Sequence, residues 1–314
     1  MGDDGGERRG PGEQMARVRR LAERVARRAL ATGLRTLERS PNELLRRARF
    51  DALGPAPRLG LVQDGEETYV VFAGDQIISR DLFLHGNRNH TRVQRALARL
   101  EDLQLDTLVD VGANIGIVCI SAVLRGLARR AIAIEPIPQN LRLLVANIHL
   151  NGLADRITHH ATALGAVKHE TLGFELSPDN SGDHRVSVAA HDGLFAEGQR
   201  PRIQVPSTRF DDLVGDLDPR SSLIWMESQG YEGHILAGAP RAVGARVPLV
   251  AEFCPYLMRR TGAYARFLTA VSGYRFWTDL FEDDAPRVAA TPGSLEQLAE
   301  RLGDRGKYSD LLFT

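Results

Sequence analysis

The segment Leu108-Val-Asp-Val-Gly-Ala-Asn-Ile-Gly116 restricts what this chain can become more than any other. An apolar strand runs straight into a turn holding Gly112 and Gly116, and an apolar helical stretch follows. The two glycines permit a tight turn and a close approach of backbone to a ligand. The helix start turns unpaired N–H groups and the positive end of the helix dipole toward that turn, which suits an electronegative ligand group. In an open α/β sheet, ligands bind in the crevice beyond the carboxyl end of such a strand.

From residue 105 onward the same alternation continues. Apolar runs at Thr107 to Val111, Ala131 to Ile134, Arg156 to Ala161, Ser222 to Met226 and Val247 to Phe253 read as strands. Helical stretches at 115–128, 138–150 and 232–243 separate several of them. Strands alternating with helices predict parallel strands with crossovers, hence an α/β sheet. A helix at 258–272, a strand at Tyr274 to Leu280, a helix at 294–302 and a strand at Tyr308 to Phe313 follow. The last two strands are expected to form an antiparallel hairpin at the sheet edge. Upstream, Thr68 to Phe72 and Ile77 to Phe83 read as a β-hairpin, and 54–60, with Pro55 and Pro57, as a linker. A helix starts at Asn89 or Thr91 and runs to about Leu103, with Val93, Leu97 and Leu100 on one face. The chain divides into an Arg-rich helical extension, 1–60, a hairpin and helix, 61–104, and a ligand-binding domain, 105–314.

Two acids mark the ligand site. Asp110 ends the first strand of the alternating region, within reach of an ammonium group. Glu135 ends the second, in Ala131-Ile-Ala-Ile-Glu135-Pro136, 19 residues after Gly116. An acid about 20 residues past such a turn meets ribose hydroxyls. The turn itself reads G-A-N-I-G, not the G-x-G-x-x-G of dinucleotide sites. It suits a nucleoside with an amino-acid tail better than NAD, and no Tyr-x-x-x-Lys pair stands ready to polarise a carbonyl.

Taken in series, VDVGANIG, AIEPIPQNLRLLVANIHLNGL, ATALG, VPSTRFDDL, IWMESQGYEGHILAGA and VAEFCP resemble the FkbM-type methyltransferases. The resemblance covers about residues 70–280. It implies a class I methyltransferase fold, with a seven-strand, mainly parallel sheet and helices on both faces, and the cofactor S-adenosyl-L-methionine. By that resemblance Asp110, Gly112, Ala113, Asn114 and Gly116 hold the methionine part. Glu135 holds the ribose, and Pro136, Ile137 and the 161–164 segment, with Ala163, lie near the adenine. The family's fourth-strand motif, Ile-Lys-Ile-Asp-Val-Glu/Gln-Gly-Tyr-Glu, stands here as Ile224 to Glu232, with Trp225 for the Lys and Glu227 for the Asp. Asn180-Ser181-Gly182 resembles the family's Asn-x-Gly loop and is expected either to face the substrate or to be a plain turn, since Asn and Gly favour turns anyway. Gln229 joins Asn180 as a candidate acceptor contact.

Methyl transfer from a sulfonium needs alignment of the acceptor behind an already activated carbon. A neutral hydroxyl also needs its proton taken by a positioned base. Glu227, at the carboxyl end of the fourth strand, is the first candidate for base or cofactor contact; its extra methylene relative to Asp matters, because about 1 Å can cost catalysis. Glu252 and His234 are weaker candidates, and a histidine placed like His234, one turn into a helix, is more often a surface or packing residue.

Composition narrows the rest. The chain has 314 residues and 40 basic against 40 acidic side chains, so it is neutral overall, which argues against wholesale wrapping of nucleic acid. The charge is uneven: residues 1–50 carry 13 Arg and 7 acids. Met1 to Gln14 is Gly-rich and expected to be disordered. Residues 15–37 show helical spacing of apolar residues between arginines, and Ser40-Pro41 caps a second short helix over 41–50. A basic amphipathic helix can meet an anionic membrane or partner, or dock on its own protein. Cys119 and Cys254 are too few for a disulfide framework and read as buried thiols. No apolar run reaches bilayer length and no signal-peptide pattern is present, so a cytoplasmic location is expected. His159 and His160 point to opposite faces of a strand, and with His184 and His191 they form no ligand-spaced set, so no metal is expected.

The leading expectation is an S-adenosylmethionine-dependent O-methyltransferase acting on a hydroxyl of a sugar or specialised metabolite, such as a glycosylated or polyketide-type product. Its partners would be a small-molecule or carbohydrate acceptor, with no nucleic acid; a membrane contact through 15–50 and a homodimer are the assemblies to consider. The rivals are an RNA methyltransferase using the basic arm, which lacks interleaved aromatics for stacking, and a non-catalytic cofactor-binding scaffold. An NAD-dependent oxidoreductase is more distant.

Overall fold

The structure, a computed structural model, describes residues 59–100, 103–188 and 193–314. The helices expected at 15–37 and 41–50, and His191, lie outside the described residues. In chain order the strands are β1 (Leu59–Asp64), β2 (Glu67–Phe72), β3 (Thr107–Val111), β4 (Arg130–Ile134), β5 (Ile157–His160), β6 (Ala163–Gly165), β7 (Glu170–Glu175), β8 (Arg185–Val186), β9 (Arg202–Arg209), β10 (Ser222–Met226), β11 (Leu249–Phe253), β12 (Phe276–Asp279), β13 (Val288–Ala289) and β14 (Ser309–Phe313). The helices are α1 (Ile78–His85), α2 (Asn89–Ala98), α3 (Cys119–Leu124), α4 (Pro138–Leu150), α5 (Phe210–Val214), α6 (Glu232–Ala237), α7 (Pro240–Gly244), α8 (Pro255–Thr261), α9 (Tyr264–Val271) and α10 (Pro292–Leu302).

Eight strands form the main sheet in the order β13-β12-β14-β11-β10-β3-β4-β5. The five strands from β11 to β5 are parallel, and β14, β12 and β13 are antiparallel to their neighbours. Strand order reverses between β3 and β10, and the crevice at such a switch point is where open α/β sheets bind ligands. Alternate residues of the strands feed two cores. Leu108, Leu223, Trp225, Val250 and Leu312 pack with α2, α3 and α4. Val109, Ile224, Met226, Ala251 and Phe313 pack with α5 to α10. A smaller four-stranded sheet, β6-β9-β7-β8, carries the loop over residues 177–184.

Several expectations are corrected. The hairpin pairs β1 with β2, not β2 with residues 77–83, of which 78–83 belong to α1. The Asp75 carboxylate accepts hydrogen bonds from the N–H groups of Ile77, Ile78 and Ser79 at 3.0, 3.2 and 3.0 Å. Those are orphan donors of a helix start, so their capture nucleates α1. The helix expected at 258–272 is two, because Gly262 takes a left-handed turn, φ 72°, after α8. The helix expected at 232–243 is likewise broken, into α6 and α7, at Gly238 and Ala239. The last strand is not at the edge: β14 inserts between β11 and β12, and β13 brings the sheet to eight strands.

The free edge of β2 is covered by side chains. Asn147 Oδ1 accepts from Val70 N at 2.7 Å and Asn151 Oδ1 from Thr68 N at 2.9 Å, while the two amide groups donate back to the carbonyls of Val70 and Thr68. Two asparagines on α4 and its C-cap thus imitate a third strand, which removes the edge's unpaired groups.

Candidate functional site

At the switch point β3 and β10 approach as closely as backbone allows. Gly112 has φ 83°, and a Cβ placed there would lie 2.0 Å from the Glu227 carbonyl oxygen. Only glycine permits both. Asn114, φ 51°, and Gln229, φ 51°, hold left-handed conformations on either side of this contact, costing of order 1 kcal/mol or more each. Gly116, φ 92°, is not at the cavity surface; its missing Cβ makes room for the side chains of Ile120 and Leu144.

Two adjoining hollows meet here. The inner one is a narrow slot between Ile137, Ala163, Leu164, Phe174 and Val186, with Pro136 and Glu135 at one end. The outer one is an open cleft of about 830 Å³. Gly112, Asn114, Gly182, Glu227 and Gln229 line both. Asp110, Ala113, Asn180 and Glu252 line the cleft. His234 lines neither: its ring stacks on Tyr231 at 4.4 Å between centroids and its Nε2 lies 2.9 Å from the Thr261 carbonyl oxygen. That is a packing role, and His234 is removed from the candidates.

Glu135 is buried and accepts from the N–H groups of Asn114 and Ile137, both at 2.8 Å. Burial pushes its carboxyl up to about 7 against the pull of those two hydrogen bonds. Asn114 and Asn140 both donate through Nδ2 to the Ser181 carbonyl, at 2.9 and 3.1 Å. Ser181 Oγ in turn donates to Asp75 at 2.6 Å. The 177–184 loop is thereby pinned as a roof over the slot. The Oδ1 atoms of Asn114 and Asn140 are buried with no partner among the described residues, so two acceptors are left for a ligand to satisfy. His184, also in the slot, accepts at Nδ1 from Ser177 N at 3.0 Å; burial holds its imidazole down to about 4, hence neutral.

Asp110 is buried and accepts from Cys119 N at 3.1 Å. Burial first, and the Glu227 charge second, raise it to about 7. Glu227 is reached from two directions. Trp225 Nε1 donates to its Oε1 at 2.9 Å, and Arg92 Nη1 lies 3.7 Å from the same oxygen. Trp225 and Glu227 are therefore one unit: the indole stands two residues back on the same sheet face and supplies the donor. Gln229 Nε2 donates to Glu252 at 3.2 Å. Burial drives the Glu252 carboxyl well up, and Glu232, Glu227 and Asp310 add to this.

Arg92, Asn140, His184, Arg185 and Asp310 were not legible as site residues. Asn140 sits in a helical stretch whose apolar neighbours dominate the pattern. Asp310 belongs to a strand whose register no local signal fixes.

The donor set fits a nucleoside with an amino-acid tail. An apolar slot ends in a carboxylate and two unpartnered amide oxygens, which suit ring and hydroxyl groups; Asp110 suits an ammonium group.

The sequence profile of the methyltransferase FkbM domain matches residues 110–271. A crystal structure of a methyltransferase FkbM from Methylobacillus flagellatus KT is similar at 16% identity, over 87% of this chain and 59% of that one, with a TM-score of 0.41. An RNA methyltransferase from Salinibacter ruber, solved with S-adenosyl-L-homocysteine, is similar at 14% identity over 52% of this chain and 74% of that one, TM-score 0.28. A ribosomal protein L11 methyltransferase of Citrifermentans bemidjiense is 30% identical over 107 residues, 31% of this chain and 35% of that protein. The match thus spans about a third of the curated relative. With the profile covering half of the chain, from Asp110 through α9, this protein belongs to the FkbM methyltransferase family, whose methyl donor is S-adenosylmethionine.

Proposed function

We propose that the chain transfers a methyl group from S-adenosylmethionine to a hydroxyl of a small, partly apolar acceptor such as a sugar or a glycosylated or polyketide-type metabolite. The observation that carries the reading is the junction of slot and cleft at Gly112, Asn114, Glu227 and Gln229. One hollow suits a nucleoside, the other is wide enough for a second molecule, and they share a wall where transfer would occur.

The bound cofactor supplies a methyl carbon already activated on a sulfonium. The protein aligns and deprotonates. Glu135, Asn114 and Asn140 present acceptors toward hydroxyl and ring N–H groups, and Asp110 faces an ammonium. Trp225 Nε1 holds one oxygen of Glu227, which lines the cleft, and such fixing matters because misplacement by about 1 Å can cost catalysis. Glu227 and Glu252 are the groups placed to take an acceptor proton. Around the outer cleft, Phe281 and Tyr308 meet edge to face at 5.4 Å, and Phe195 meets Tyr256 at 5.9 Å; Phe195, Phe281 and Tyr308 line it and are partly exposed. Such faces suit the C–H surface of a sugar or a polyketide.

Calorimetric titration with S-adenosylmethionine, S-adenosylhomocysteine and NAD tests the cofactor half. Micromolar binding of the first two and none of NAD is expected; binding of NAD alone would refute it. A panel of hydroxylated acceptors and of RNA, with labelled methyl donor, tests the other half. Label in RNA and in no small molecule would overturn the acceptor class.

A further inference from the structure

One face of the sheet is apolar through its length and ends, at its carboxyl edge, in acids on four consecutive strands. In the register, Leu108 and Asp110 of β3 lie beside Leu223 and Trp225 of β10, Trp225 beside Val250 of β11, and Val250 opposite Leu312 of β14. Two residues further along each strand toward that edge stand Glu227, Glu252 and Asp310. Glu252 and Asp310 are directly opposite each other in the antiparallel β11–β14 pair, and both are buried. Like charges placed so cannot both ionise without cost.

Positive charge is scarce around them. Arg92 of α2 ion-pairs with Asp310 and lies 3.7 Å from Glu227. Arg185 of β8 approaches Glu252, but its guanidinium is already engaged by Asp183 and, at 3.2 Å, by Glu197. Glu232 of α6 and Asp279 of β12 add negative charge. Burial keeps the Tyr308 phenol and the Cys254 thiol neutral, each pushed up to about 12, and the Cys119 thiol beside Asp110 is raised well up too. A second observation points the same way: Asp310 Oδ1 is fully buried and has no hydrogen-bond partner among the described residues. The pocket therefore holds more carboxyl oxygens than its own donors satisfy, beside a cleft that Glu227 and Glu252 line.

Resting on the cofactor reading above, we propose that the β11–β14 end of this carboxyl row, the Glu252–Asp310 pair, is a proton store matched to the charge of the sulfonium. One proton leaves it when S-adenosylmethionine binds. One returns when transfer has left a neutral thioether. The balance closes: the acceptor oxygen forms the new bond to the methyl carbon, the carbon–sulfur bond breaks with its electron pair kept by sulfur, and the hydroxyl proton passes to a carboxylate. Sulfonium plus carboxylate become thioether plus carboxylic acid, so the net charge inside the site does not change. The same device weakens the hold on the spent cofactor.

The test compares two nucleosides that differ by one methyl group and one charge. Groups that meet their common part, Glu135 and Asp110 among them, cancel in the difference. Full-length protein is titrated calorimetrically with S-adenosylmethionine and S-adenosylhomocysteine, near pH 7, in buffers of different ionisation enthalpy. The sulfonium form should release up to about one more proton than the thioether. Its affinity relative to the thioether should climb between pH 6 and pH 8, by at most about tenfold per unit. Glu252→Gln should abolish the excess while both nucleosides still bind, and Asp310→Asn provides the second variant should the first not fold. Tight binding of both with equal proton release, or an excess that survives in both variants, overturns the proton store and leaves the cofactor reading intact. Failure of either nucleoside to bind overturns the cofactor reading and the store together.

Discussion

Single residues at the junction of β3 and β10 are fixed by contact distance. Gly112→Ala would put a methyl group 2.0 Å from the Glu227 carbonyl in a left-handed conformation. The backbone must open, and a loss of about 3 kcal/mol or more is expected, read as a lower urea midpoint. Glu135→Ala removes the acceptor of two backbone N–H groups and, on the proposed reading, a contact to the ribose. Affinity for S-adenosylmethionine should fall about tenfold or more by calorimetry, since a hydrogen bond to a charged group is worth about 1.5–3 kcal/mol. Glu227 shows what a residue-level reading can and cannot do. Its place at a strand end was legible; its attachment to Trp225 was not, because two departures from a family pattern look independent until the side chains are seen to meet.

At the scale of elements, α2 and β14 matter most. Three arginines, Arg92 and Arg95 of α2 and Arg99 at its C-cap, reach the C-terminal region. Arg92 pairs with Asp310, Arg95 donates to the Leu280 carbonyl, and Arg99 donates to the carbonyls of Asp283 and Ala285. In the sequence this helix shows Val93 and Leu97 as its meaningful face; the arginine face looks like solvent until the C-terminal segment is placed against it. A strand buried between two others is also not dispensable. Deleting residues 309–314 strips hydrogen-bond partners from both β11 and β12 and removes Leu311, Leu312 and Phe313 from the core. Loss of soluble folded protein is expected, checked by yield and circular dichroism; an edge strand of a terminal hairpin would tolerate the same cut. The roof loop gives a gentler test. Asn140→Ala cuts one of two amide contacts to Ser181 and removes an unpartnered acceptor, so weaker S-adenosylmethionine binding with little change in unfolding midpoint is expected.

The whole molecule carries a pH signature. Asp110, Glu135, Glu232 and Asp310 are all raised to about 7 by burial. A carboxyl whose folded value lies above its unfolded value binds more protons in the native state, so stability falls as pH rises between the two values. His184, lowered to about 4, acts in the opposite sense, but only below its unfolded value near 6.5. From pH 6.5 to 8 the carboxyls act alone among these groups. The ligand-free melting temperature should drop there by roughly 5 °C or more, and saturating S-adenosylmethionine should shrink the drop. A flat profile in differential scanning calorimetry would contradict the burial of these charges.

The family is read from motifs that resemble it in series, and local pattern is enough for the α/β class, the Gly112–Gly116 turn and the acids at 110, 135, 227 and 252. These follow from local rules: periodicity separates strand from helix, glycine marks the turn, and an acid just past an apolar run stands at a strand end. The helix over 78–85 has a local signal, Asp75 accepting from N–H groups two to four residues on, but tertiary structure alone decided that β1 takes the place beside β2. It also decided that β14 lies inside the sheet, that Asp310 faces Glu252, and that Arg92 closes on Glu227. Each of those depends on contacts between segments up to 218 residues apart. Their energies exist only once the chain has folded, so no window of sequence contains them.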